Sequence, residues 1–160
     1  MTSATISHHA LKIALIHPQI PPNTGQIARL CVAAGVHLHL VRPLGFVLSD
    51  RQLKRAAMDY WQRLNLTVHD DLDSFMKTIH PAHLWLFSTT GQRSFWDAEF
   101  STSDYLIFGN ETQGLPDSLL NQNPSRILRI PQAPHERCLN LSSAVALGLY
   151  EALRQLENRE

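Results

Sequence analysis

Five short apolar runs divide this chain at intervals: Leu11 to Ile16 (LKIALI), Val36 to Val41 (VHLHLV), Leu84 to Phe87 (LWLF), Tyr105 to Phe108 (YLIF) and Ile127 to Ile130 (ILRI). Each is too short to build a buried helix, and their near-continuous hydrophobicity fits strands covered on both faces. Helical patterns lie between them. In the segment following Asn23, Ile27, Leu30 and Cys31 form an inner face and Gly35 ends the helix. Ser49 or Asp50 opens a short helix over DRQLKRAAM, a further helix covers Leu72 to Ile79, and Pro116 begins another short one. In the last stretch Leu141, Val145, Leu149 and Leu153 recur at the helical period behind Asn140, an N-cap residue type, as is Asn23. A less apolar strand is expected at Asn65 to His69. Strands alternating with helices imply an α/β fold, a mostly parallel sheet with helices on both faces.

The 160 residues fit a single domain, residues 1–160, with an ordered core from about 11 to 156 and frayed residues at 157–160. Fourteen basic and fourteen acidic side chains cancel, so any nucleic-acid surface must be a local patch rather than an overall basic charge. Two cysteines are too few for a disulfide scaffold and suit a reducing compartment. With no basic, apolar leader and no apolar run near the ~20 residues that span a bilayer, a cytoplasmic protein without a membrane segment is expected. The nine histidines show no HExxH or other zinc spacing, so no metal is expected, and His37 and His39, two apart on a strand, read as structural.

Three stretches carry chemical residues. The first, PPNTGQIAR at 21–29, is a proline-stiffened loop running onto a helix start, with Arg29 less than two turns beyond Asn23. Arg29 there either grips a phosphate or is an ordinary surface arginine. The second, GNETQGLP at 109–116, follows a buried strand, where ligands bind in open α/β sheets. Its glycines have the separation of a phosphate-binding GxxxxG loop, but Leu115 and Pro116 replace the lysine and hydroxyl that such a loop needs. No GxGxxG occurs either. The third, the loop Ile130 to Asn140, contains Arg137 and Cys138 and runs into a helix start at Asn140–Leu141–Ser142–Ser143. Cys138 has no legible histidine-and-acid partners and reads as a small loop residue. Arg51, Lys54, Arg55 and Arg63 form either a phosphate-contacting patch or a solvated helix face.

In order and spacing, PPNTGQIARLC, YLIFGNETQGLP and RIPQAPHERCLNLSSAVALGLYEALRQ resemble the three motifs of the SPOUT superfamily. Within it, LVRPLGF and DRQLKRAAMDYW make the chain similar to the TrmL-type tRNA wobble-nucleotide 2′-O-methyltransferases, which lack an appended RNA-binding domain. The resemblance implies a C-terminal deep trefoil knot, a homodimer and S-adenosylmethionine (SAM) as cofactor, left as S-adenosylhomocysteine. By position it implies a SAM pocket of Phe87, Ser88, Thr89, Gly109, Glu111, Gly114, Ile130, Cys138, Leu139, Asn140, Leu141 and Ser142. Cys138 and Asn110 depart from the subgroup, which has Ser and Pro there.

The resemblance further implies methyl transfer to a ribose of the anticodon loop, at cytidine or uridine 34 of tRNA. Arg29 matches the proposed catalytic residue. A guanidinium stays protonated, so holding a phosphate and stabilising developing negative charge suit it better than proton removal. Asn23, Glu111, Asn140 and Ser142 are candidates for orienting it or the ribose, and Tyr150 matches a position near interface and active site. Phosphate contacts are expected from Arg42, Arg51, Lys54, Arg55, Arg93 and Arg137; Tyr60, Trp61 and Trp96 are candidates for stacking platforms, with core roles expected for two of the three. Two rival readings share these residues: a sister activity on another tRNA or rRNA site, and a SAM- or RNA-binding module without catalysis.

Overall fold

A computed structural model describes residues 5–159. Seven strands, all parallel, form one sheet: β1 Lys12–Ile16, β2 His37–Val41, β3 Leu66–His69, β4 Leu84–Phe87, β5 Arg93–Ser94, β6 Tyr105–Phe108 and β7 Ile127–Arg129. Their spatial order is β3-β2-β1-β6-β4-β7-β5, so the most apolar strands, β1, β6 and β4, lie at the centre. The helices are α1 Pro21–Ala34, α2 Arg51–Ala57, α3 Leu72–Met76, α4 Asp117–Gln122 and α5 Leu141–Glu157.

The two-residue period of the strands divides the core. Ile13, Leu15, Leu38, Leu40, Trp85, Phe87, Leu106 and Phe108 pack on one face with Ile27, Ala28 and Cys31 of α1 and Val145, Leu149 and Leu153 of α5. Ala14, Ile16, Leu86 and Ile107 pack on the other with Phe75 of α3 and Leu119 and Leu120 of α4. Burial drives the Cys31 thiol well above its ordinary range, so it is an inert core group. Helix α5 approaches the sheet closely at Gly148, where a Cβ would stand 3.0 Å from the Phe87 ring.

His37 and His39 share the second face of β2. Their rings stack at 4.2 Å, and His39 Nδ1 lies 2.9 Å from His69 Nε2 on β3. His39 is buried, with Nε2 unpartnered. Desolvation, reinforced by the neighbouring His37, His69 and Lys12, pushes it down to about 3, so it stays neutral in the fold.

Local details depart from the sequence expectations. Helix α1 starts at Pro21, with Ile20 at the N-cap and proline in the first turn. Asn23 is therefore inside the helix rather than capping it, since proline lacks the N–H that the first turn leaves unpaired anyway. Helix α3 ends at Met76 instead of Ile79. Strand β5 and the 3-10 turns Met58–Arg63 and Phe95–Asp97 are too short for periodicity to show. Near the limits of the described residues, the Glu157 carboxylate accepts from Ser7 N and Oγ at 2.6 and 2.8 Å, and Arg159 donates to the Phe100 carbonyl. Glu160, like residues 1–4, lies outside the described residues.

Candidate active site

Strands β4, β6 and β7 are neighbours and end on the same edge, so the loops leaving them meet. They enclose a pocket of about 230 Å³, several times the ~30 Å³ share of one water and thus sized for a small organic molecule. Phe87, Ser88 and Thr89 line it from the first loop, Gly109, Glu111, Gly114 and Leu115 from the second, and Ile130, Cys138, Leu139 and Leu141 from the third. Leu139 is 38% exposed on this wall, an apolar surface open to any ligand that enters.

The second loop is a tight reversal. Asn110 and Gly114 exchange backbone hydrogen bonds at 3.3 and 3.2 Å, and Gly114 adopts φ +70°. A Cβ on Gly109 would lie 2.0 Å from the Gly114 carbonyl carbon, so only glycine lets the loop close. Asn110 builds the turn with its side chain, accepting from Gln113 N at 2.7 Å and Thr112 N at 3.2 Å. Asparagine at this position makes its own Asx-turn, a role proline would fill by stiffness.

A polar chain ties all three motifs together at the rim. The Glu111 carboxylate accepts from the amides of Gln19 and Ile20, at 2.8 and 2.9 Å, and from Asn23 Nδ2 at 3.4 Å. An anion is thereby held at the start of α1, where the unpaired amides and the helix dipole favour it. Asn140 Nδ2 donates to Asn23 Oδ1 at 3.1 Å, while Asn140 Oδ1 caps α5 by accepting from Ser142 N and Ser143 N. Ser142 Oγ lies 3.1 Å from Gln26 Oε1 and 2.5 Å from Asn140 Oδ1.

Of the twelve cofactor-pocket residues expected from sequence, ten line the pocket; Asn140 and Ser142 belong instead to the polar chain. Arg29 does not line it. It is exposed on α1, six residues and so about 9 Å along the axis beyond Asn23. Its guanidinium lies 5.4 Å from the Tyr60 ring centre, and Arg63 lies 4.7 Å from the same ring. Tyr150 is about half exposed on α5 and lines a separate groove with Ile6, His9 and Ala33.

The basic residues do not form one patch. Arg51, Lys54 and Arg55 are exposed on α2, which packs against α1. Arg42 pairs with Asp70 at 3.2 Å near the β3 edge. Arg93 starts β5 at the opposite edge, five strand spacings or about 24 Å from β2. Arg137 is exposed on the third loop. Trp61 packs partly into the core, whereas Trp96 is 64% exposed. Sequence reasoning missed Gln26, which lies one turn beyond Asn23 and could have been found from helical spacing.

Residues 10–150 match the SpoU rRNA methylase family. The chain belongs to that family. Relatives of this SpoU-family chain include the tRNA (cytidine(34)-2′-O)-methyltransferases of Burkholderia cenocepacia, 44% identical over 89% of this chain and 94% of the relative, and of Escherichia coli, 43% identical over 91% and 94%. A solved structure described for 2-OH methylation of C/U34 on tRNA superposes with a TM-score of 0.89 at 42% identity, covering 94% of this chain and 98% of that one. An AdoMet-bound rRNA methyltransferase from Sinorhizobium meliloti superposes at 0.83 and 26% identity, over 95% of this chain and 59% of its own. Among the described residues no group of three or more His, Cys, Asp or Glu side chains could hold a metal, and no helix is long and apolar enough to cross a membrane.

Proposed function

We propose that this protein is a SAM-dependent 2′-O-methyltransferase acting on the ribose of nucleotide 34 of tRNA, a cytidine or uridine. The observation that carries the reading is the convergence of three sequence-remote loops on one pocket, joined at its rim by the Glu111–Asn23–Asn140–Ser142 chain. The pocket suits the cofactor. Ile130, Leu139 and Leu141 offer apolar walls for an adenine ring, and the tight Gly109–Gly114 loop presents backbone to its polar edges. Cys138 lines the pocket as an exposed small residue, so a serine there is not required. The C-terminal knot belongs to this proposal, with residues 109–116 and 130–141 as the interlaced loops.

Bound SAM supplies an electrophilic methyl group on a sulfonium. Transfer to a hydroxyl needs oxygen, carbon and sulfur in line, so the protein's main contribution is positioning. Glu111 fixes the start of α1 against the second loop, and Asn140 fixes the start of α5 against α1. Arg29, always protonated, holds the neighbouring phosphate and stabilises charge growing on the attacking oxygen. Because Arg29 lies off the pocket of its own chain, we assign its action to a homodimer. Gln26, Arg29 and Ala33 of α1 and Ser143, Leu147 and Tyr150 of α5 are exposed on adjacent helices and offer that interface.

The test is methyl incorporation from labelled SAM into total tRNA, followed by mapping of the methylated nucleotide. A 2′-O-methyl at position 34 is expected, with Arg29→Lys losing most turnover while SAM still binds. SAM binding without any methylated product, or full activity in Arg29→Lys, would overturn the respective assignments.

A further inference from the structure

The β5 edge of the sheet carries a second group of charged side chains that the pocket does not use. Leu86 pairs with Ile127, so Arg126, one residue earlier, stands beside Trp85. Arg93 pairs with Leu128. By the strand period, Trp85, Arg126, Leu128 and Arg93 all belong to one face. The side chains meet there: the guanidinium carbons of Arg126 and Arg93 lie 4.8 and 5.3 Å from the Trp85 ring centre, hence within about 10 Å of each other.

Such a pair needs explanation, because like charges at this separation repel. Among the described residues neither arginine forms an ion pair with a carboxylate; Arg93 donates to the backbone carbonyl of Asp97. Asp97 and Glu99 are exposed close by in sequence and pair with neither. The platform itself is rigid. Trp85 is buried, its Nε1 donates to the buried Asp104 carboxylate at 3.0 Å, and Phe100 meets it edge-on. A guanidinium held over an indole face is attracted through the ring and has further N–H groups to offer an anion such as a phosphate. Trp96, three residues beyond Arg93 in sequence, is exposed. The strand leading from Arg126 reaches the pocket-lining Arg129 in three residues, about 10 Å.

We propose that Arg93 and Arg126, presented on Trp85, bind backbone phosphate of the RNA substrate at a point away from the nucleotide being methylated. The inference rests on the reading of the substrate as RNA. It adds to that reading a docking point on the β5 flank, built on Arg126, which the sequence motifs do not contain.

The experiment is tRNA binding by the full chain between 50 and 200 mM salt, for wild type, the Arg93→Gln/Arg126→Gln double variant and the Arg93→Lys/Arg126→Lys double variant. Two phosphate contacts account for about tenfold of affinity over this range. The glutamine variant is therefore expected to bind more weakly at low salt and to lose about tenfold less affinity on raising the salt. The lysine variant is expected to keep most of the wild-type salt slope. SAM affinity, a readout that a phosphate contact leaves unmoved, is expected to be equal in all three. A glutamine variant with wild-type tRNA affinity and salt slope would overturn the inference while leaving the methylation reading intact. Wild-type protein that binds no tRNA would overturn that reading, and the inference with it.

Discussion

Asn140 shows how much one side chain can do at the pocket. Its oxygen caps α5 and its amide nitrogen reaches Asn23, so helix start and inter-motif contact depend on the same group. His39 is the opposite case, a titratable group with no part in the pocket whose burial has a cost. Unfolded, it takes up a proton near 6.5; folded, it is held down to about 3. Below pH 6.5 the unfolded chain therefore binds more protons at this site. The stability present above that pH is lost as pH falls toward 3, at a slope approaching about 1.4 kcal/mol per unit. Urea unfolding at a series of pH values is expected to show this slope between pH 6 and 4. His39→Phe is expected to reduce it by about one proton, and an unchanged slope would show that His39 is not the source. Histidine at this position was legible as structural from its two-residue spacing with His37. Its neutrality was not, because it depends on burial and on His69 and Lys12 arriving from other strands.

Elements were legible wherever their pattern ran long enough. β1, β2, β4, β6 and β7 stand within a residue or two of their apolar runs, and α5 follows its leucine period from Leu141. Strand β5 escaped because its two residues are defined only by pairing with β7, a long-range contact without a local signature. The start of α1 shifted by three residues, from a cap at Asn23 to one at Ile20, since proline at N1 and Glu111, about ninety residues away, supply what an N-cap side chain would. The motif loops were legible as chemistry before they were legible as a site. Nothing in the spacing of GNETQGLP tells that its glutamate holds the first helix, or that Gly109 nearly touches Gly114.

At the scale of the whole molecule, sheet order decides what the motifs become. Placing β6 between β1 and β4 brings the ends of β4, β6 and β7 together and leaves α1 and α5 side by side with an exposed apolar stripe at Leu147 and Tyr150. The alternation of strands and helices in sequence fixes neither that order nor the assembly. If this stripe is the homodimer interface, Leu147→Glu places a charge in its middle. The variant is expected to run as a monomer by light scattering and to lose most turnover; a dimer of wild-type stability would place the interface elsewhere.

The claim on which the account turns is that residues 88–90, 109–115 and 130–141 form one site for the methyl donor. Titrating SAM into isotope-labelled protein and following backbone amide resonances tests it directly. The amides of all three segments are expected to shift together and to saturate with one dissociation constant. Gly109→Ala, whose methyl group would collide with Gly114, is expected to abolish those shifts while the remaining amides stay in place. Shifts confined to a single segment, separate saturation of the three, or unaltered binding in Gly109→Ala would contradict it.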